Sequence, residues 1–163
     1  MTFLRIWIHF VFITKDRQPL LRGDVLHQLI RHLRESTRQQ KIYLDHIGGG
    51  EEHFHCLISL GKEQTIAQIA RMVGDESAEW LNENQWTTYP VSWEDYYAVS
   101  VSESQLDDVR KYIRNQEKYH KHRTFGEEAN EFARRYGWRI HYASGTKDKA
   151  AGSLDFSDLE ERL

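Results

Sequence analysis

Two histidines one residue apart, His53 and His55, open the apolar run "HFHCLISL". Side chains alternate across a strand, so a strand here sends both imidazoles to one sheet face. Phe54, Cys56, Ile58 and Leu60 then take the other. Two imidazoles so placed can share one divalent ion when a third ligand arrives from elsewhere in the chain. A second group lies in "YIRNQEKYH", where Tyr112 and Gln116 are four residues apart on one helical face and Tyr119 follows one turn later. A phenol of ordinary pKa, about 10, is a poor nucleophile at neutral pH. Beside a metal-bound phosphate it becomes competent, because the ion stabilises the charge that develops at phosphorus. The amide oxygen of Gln116 suits the same ion and adds no negative charge near a phosphate. The same spacings also suit incidental histidines and a core aromatic, with Tyr112 packed on Val109 and Ile113. Spacing alone leaves both open.

Whatever positions these groups must come from one domain, since 163 residues suffice for a sizeable core without staples. A hydrophobic fraction of 39% with five tryptophans is that of a globular protein. No apolar run approaches the roughly 18 residues that cross a bilayer. The opening "MTFLRIWIHFVFITK", interrupted by Arg5 and His9, reads as a strand and not as a secretory signal. A single cysteine, Cys56, excludes an internal disulfide and points to the cytoplasm. The formal net charge of −3 lacks the basic surplus usual in nucleic-acid binders. Cations are nonetheless concentrated: residues 110–123 hold six Lys and Arg against one Glu, a stripe that suits either a phosphate backbone or a solvated helix face.

Residues 3–14 are aromatic and β-branched and predict a strand. Asp24 is a candidate N-cap for a helix with Leu26, Leu29, Ile30 and Leu33 on one stripe. "KIYLDHI" and "HFHCLISL" predict two strands joined by a flexible "GGGEE" reversal. "TIAQIARMVGDESAEWL" predicts a second helix with Ile66, Ile69, Met72 and Val73 inward, and "DYYAVSVS" a fourth strand. A third helix is expected over residues 105–118, capped by Ser102 and Gln105. A fourth follows the Thr124/Glu127 capping pair and ends at Gly137. The order strand, helix, strand, strand, helix, strand is the split βαβ arrangement, an α+β ferredoxin-like antiparallel sheet. Two helices would cover one face, leaving the tyrosine-bearing helix near the open one. Residues 1–145 form the expected catalytic domain and 146–163 an acidic tail.

With these residues in place, the chain resembles the single-tyrosine HUH transposases of bacterial insertion sequences, including relatives associated with repetitive extragenic palindromes. The resemblance runs from Ile8 to Tyr136 through five short motifs in order. They are Thr14-Lys15 with Arg17 and Pro19; His53-Phe54-His55-Cys56-Leu57-Ile58; "TIAQIARMV"; Trp93 with "SVSESQ"; and Tyr112-Ile113-Arg114-Asn115-Gln116 with His120 and Lys121. It implies Tyr112 as the nucleophile and His53, His55 and Gln116 as ligands of Mg2+ or Mn2+. The implied reaction cuts single-stranded DNA beside a hairpin, leaving a 5′-phosphotyrosine link and a free 3′-hydroxyl. A homodimer is implied too, with apolar surface expected from "FLRIWIHFVFI". Lys15, Arg17, Arg110, Arg114, Lys118 and Lys121 are the expected DNA contacts.

The sequence departs from the family pattern at two places. Gly74-Asp75-Glu76-Ser77 stands where Lys-Gly-x-Ser is usual, and Trp93-Glu94-Asp95-Tyr96-Tyr97 where Trp-Gln-x-Gly-Tyr is usual. Both changes add negative charge where phosphates approach, which lowers affinity. An alternative is therefore a domesticated hairpin-DNA-binding protein without transposition activity. A third reading, from another class, is a zinc protein built on His46, His53 and His55.

Overall fold

Strand β1, Trp7–Thr14, is apolar at nearly every position and all of it is buried. That pattern belongs to a central strand covered on both faces. In the computed structural model of the protein, which describes residues 3–136, 139–142 and 152–155, β1 indeed lies between two neighbours. The sheet has the order β2-β3-β1-β4, with β2 at Tyr43–Gly49, β3 at His53–Ser59 and β4 at Trp93–Val101. All three pairings are antiparallel. Helices α1 (Asp24–Gln39) and α2 (Ile66–Glu83) complete the β1-α1-β2-β3-α2-β4 unit, so the ferredoxin-like α+β class holds.

The two faces divide by residue parity. Ile8, Phe10 and Phe12 of β1 join Phe54, Cys56 and Ile58 of β3 in the main core, against Leu29 and Leu33 of α1 and Ile69 and Val73 of α2. On the opposite face Trp7, Leu57 and Val101 pack with Leu106 and Ile113 of α3 (Leu106–Arg114). The face expected to be open is thus roofed by the tyrosine-bearing helix.

Several sequence expectations are corrected. β1 begins at Trp7 and not at residue 3, because β3 ends at Ser59 and the last bridge on that side is Leu60 N–H to the Ile6 carbonyl. Gly48 and Gly49 lie inside β2 and not in the reversal. Asp24 sits in the first turn of α1, behind Gly23, whose φ of 55° takes the cap position. Ile66, the first residue of α2, is exposed, and the inward stripe runs through Ile69, Ala70, Val73, Ser77 and Leu81. Thr65 and Gln68 form a capping box there. Ser102 makes no side-chain cap; a 3-10 turn, Glu103–Gln105, intervenes before α3.

The third helix is also not continuous. α3 stops at Arg114, Asn115 adopts φ −97° and ψ 14°, and a short α4 runs from Gln116 to His120. The Asn115 N–H is shared between the carbonyls of Lys111 and Tyr112, as at a helix end.

The chain divides into two compact units, Met1–Lys118 and Tyr119–Leu163. In the second, Thr124 and Glu127 cap α5 (Phe125–Tyr136) reciprocally as expected. β5 (Arg139–Tyr142) pairs antiparallel with β6 (Gly152–Asp155). The helix stop expected at Gly137 lies outside the described residues. So does most of the acidic tail, of which only 152–155 is described.

Candidate active site

Alternation places His53 and His55 on the α3 side of β3, as the sequence requires, but both are buried and not at a solvent-facing mouth. The helix reaches them because β2 carries no side chain where it crosses. A Cβ on Gly48 would stand 2.3 Å from the carbonyl oxygen of Ile113. Gly48 is the register partner of His55, so the close approach sets the helix directly over the histidine strand. Asp45 of β2 fastens the other end. Arg110 donates to its two oxygens at 2.8 and 3.1 Å, and His46 Nδ1 donates at 2.6 Å. Burial alone would raise the Asp45 carboxyl, but the hydrogen bonds from Arg110 and His46 outweigh it and hold it below the usual carboxylate range. The Arg110 guanidinium also lies 5.5 Å from the centre of the Trp7 ring.

This anchoring brings the chemical groups together. The Tyr112 ring meets the His55 ring edge-on at 5.4 Å and the His9 ring at 6.2 Å. Its hydroxyl is shielded from solvent. The turn at Asn115 then folds Gln116 inward, where it is buried, with Oε1 3.2 Å from His53 Nε2. The His53 and His55 rings are nearly perpendicular, with centres 4.9 Å apart. The His53–Gln116 pair has the spacing of two ligands of one divalent ion. Adjacent ligands on an octahedral ion with bonds of about 2.1 Å stand about 3.0 Å apart, close to the Gln116–His53 separation. Two imidazoles and an amide oxygen make a mixed N/O donor set for a divalent ion.

The sequence matches the IS200-like transposase family over residues 2–116, well over half of the chain. The chain belongs to that family. Several solved structures share the fold, and two of them illustrate the likeness. One is a Deinococcus radiodurans R1 protein described as a transposase. It is 22% identical with a TM-score of 0.54, and the match covers 71% of this chain and 93% of that one. The other is a REP-associated tyrosine transposase bound to a REP hairpin. It is 13% identical with a TM-score of 0.57, and 94% of each chain is covered. No curated protein matches the chain significantly.

In this transposase the expected DNA contacts differ in setting. Lys15 is exposed and Arg17 half-buried, in the turn after β1 where Arg17 has φ 51°. Arg114, Lys118 and Lys121 are exposed, whereas Arg110 is committed to Asp45, Asp107 and Trp7. The divergent Gly74-Asp75-Glu76-Ser77 segment has a structural task. The Trp93 indole N–H donates to the Gly74 carbonyl at 2.9 Å and the Ser77 hydroxyl at 3.0 Å, tying α2 to the start of β4. Glu76 is engaged by His32 at 2.7 Å, while Asp75 and Glu94 are exposed. His46, the third ligand of the zinc reading, turns to Asp45 instead. Sequence reasoning missed His9, Asp45 and Gly48. The signal for His9 was its place in β1, a lone polar residue at an odd position of an apolar strand.

No helix among the described residues is long and apolar enough to cross a membrane.

Proposed function

We propose that this transposase cuts and rejoins single-stranded DNA beside a hairpin, with Tyr112 as nucleophile and His53, His55 and Gln116 as ligands of Mg2+ or Mn2+. One observation carries the reading. Tyr112 and Gln116 lie on either side of the Asn115 turn, and that turn brings both against the two histidines of one strand. The hairpin-bound REP-associated transposase, similar in fold, supports the choice of DNA class.

In the reaction the Tyr112 Oη forms a bond to phosphorus and the bond from phosphorus to the 3′ oxygen breaks. The phenol loses its proton, the departing oxygen ends as a 3′-hydroxyl, and the strand's 5′-phosphate stays on the tyrosine. When bound, the ion supplies positive charge against the phosphate oxygens. The ester conserves the energy of the broken bond, so a 3′-hydroxyl can reverse the attack without a nucleotide cofactor. Shielding of the Tyr112 hydroxyl and burial of the histidines limit competing attack by water. DNA as substrate implies the cytoplasm. A homodimer is part of the proposal. β1 itself is central and buried, so of the apolar run expected to pair only Phe3, Leu4 and Ile6, which precede the strand, are exposed; Tyr43 on the edge strand, Ile66, Trp86 and Tyr89 are the other exposed large apolar side chains among the described residues.

The test uses hairpin DNA labelled at its 3′ end, with manganese. Wild type should carry the label in a covalent protein adduct and Tyr112→Phe should carry none. An adduct that persists in Tyr112→Phe would refute the assignment. Hairpin binding without any adduct in wild type would favour the domesticated binding protein.

A further inference from the structure

A third histidine sits beneath the site. His9 of β1 is buried and its Nε2 lies 2.9 Å from Nδ1 of His55, a diagonal neighbour two residues along on the same face, since His9 itself pairs with Leu57 and His55 with Val11. The two rings are stacked with centres 5.1 Å apart, and the edge of Tyr112 touches both. A polar ring at the centre of a sheet face costs free energy unless its nitrogens are used, so an apolar residue would pack there at lower cost.

We propose that His9 is a positioning residue that sets the tautomer and ring orientation of His55. The inference rests on the reading of His55 as a metal ligand. Imidazole has two ring nitrogens, so with Nδ1 of His55 in contact with His9 an ion can be met only through Nε2, which is buried on the other side of the ring. A ligating Nε2 must present a lone pair, so the proton of neutral His55 belongs on Nδ1. His9 Nε2 is then the acceptor, and His9 carries its own proton on Nδ1. A hydrogen-bond partner behind a ligating imidazole fixes the ring and raises its basicity. The partner here is a second imidazole and not the usual carboxylate, so it adds no negative charge behind a site that must accept a phosphate. Through its contact with Tyr112 the same ring also backs the nucleophile.

Histidine 15N NMR on the metal-free protein reads the tautomer directly. His55 should show Nδ1 protonated and Nε2 as the lone-pair nitrogen, and the reverse assignment would overturn the proposal. Manganese affinity, measured by EPR, should weaken about 10- to 100-fold in His9→Leu. His9→Gln, whose amide oxygen can accept the same proton, should recover most of the loss. His55→Ala should bind more weakly than either. Wild-type affinity in His9→Leu, alongside lost binding in His55→Ala, would remove the positioning role and leave the ligand reading standing. Wild-type affinity in His55→Ala would remove the ligand reading and this inference with it.

Discussion

Tyr112 and Tyr119 are seven residues apart, and their surroundings separate them more clearly than their spacing does. Tyr112 lies against His9 and His55. The Tyr119 hydroxyl donates to Glu131 at 3.2 Å and its ring lies under the Arg123 guanidinium, both within the second unit. Burial raises the Tyr119 phenol above its ordinary pKa, with the Glu131 carboxylate adding to the effect against the opposing pull of Arg123. A raised phenol makes less phenolate at neutral pH. Tyr119→Phe should therefore keep the covalent DNA adduct that Tyr112→Phe loses, and a peptide map placing the adduct on Tyr119 would reverse the assignment. Alternation alone gave the common face of His53 and His55, because strand period is a local property. The burial of that face was not legible, since it depends on a helix more than fifty residues away in sequence. His9 was hidden for a related reason. Its parity could be read, but its pairing with the histidine strand is a matter of register.

At the scale of elements, the strands and the first two helices were legible because their apolar periods are long and unbroken. The glycines misled because one residue type serves two purposes: it permits turns, and it permits backbone to approach backbone. Gly48 serves the second, against the Ile113 carbonyl. In Gly48→Ala either the helix lifts or the strand bends, at a cost of about 1–3 kcal/mol. Displacing Tyr112 and Gln116 by even about 1 Å should lower cleavage on the order of 100-fold. A Gly48→Ala protein with wild-type cleavage would show that the helix need not lie where it does. The Asn115 break likewise escaped periodicity, which carries the stripe straight through it. The second anchor of α3 predicts a pH effect. Asp45 has a folded pKa below its ordinary 3.8, so its pairing stabilises the protein above that value and is lost as pH falls through the lower folded value. Asp45→Asn should cost about 1–2 kcal/mol near neutral pH, allowing for partial solvent screening, and the gap from wild type should close below about pH 4. Denaturation at several pH values measures this, and a gap that widened in acid would contradict the sign.

For the whole molecule, a formal charge of −3 sets general repulsion against a polyanion, so attraction must come from cations placed locally. The structure distinguishes cations that the sequence lists equally in one stripe. Arg110 holds α3 to β2 and Trp7, so withdrawing it to meet a phosphate would cost the Asp45 hydrogen bonds. Arg114, one turn later on the same helix, is exposed to solvent. Each cation that meets a single-stranded phosphate releases counterions and contributes about 0.7 to the slope of log affinity against log salt. Arg114→Ala should therefore make that slope shallower by about 0.7 while leaving thermal stability near wild type. Arg110→Ala should do the opposite, lowering the melting temperature and weakening cleavage through a displaced Tyr112, with little direct change in slope. Binding of single-stranded hairpin DNA across a salt series, beside thermal melts of both variants, decides between them. Should Arg110→Ala flatten the slope while melting like wild type, its clamp would be expendable and the guanidinium would have to be reassigned to the DNA.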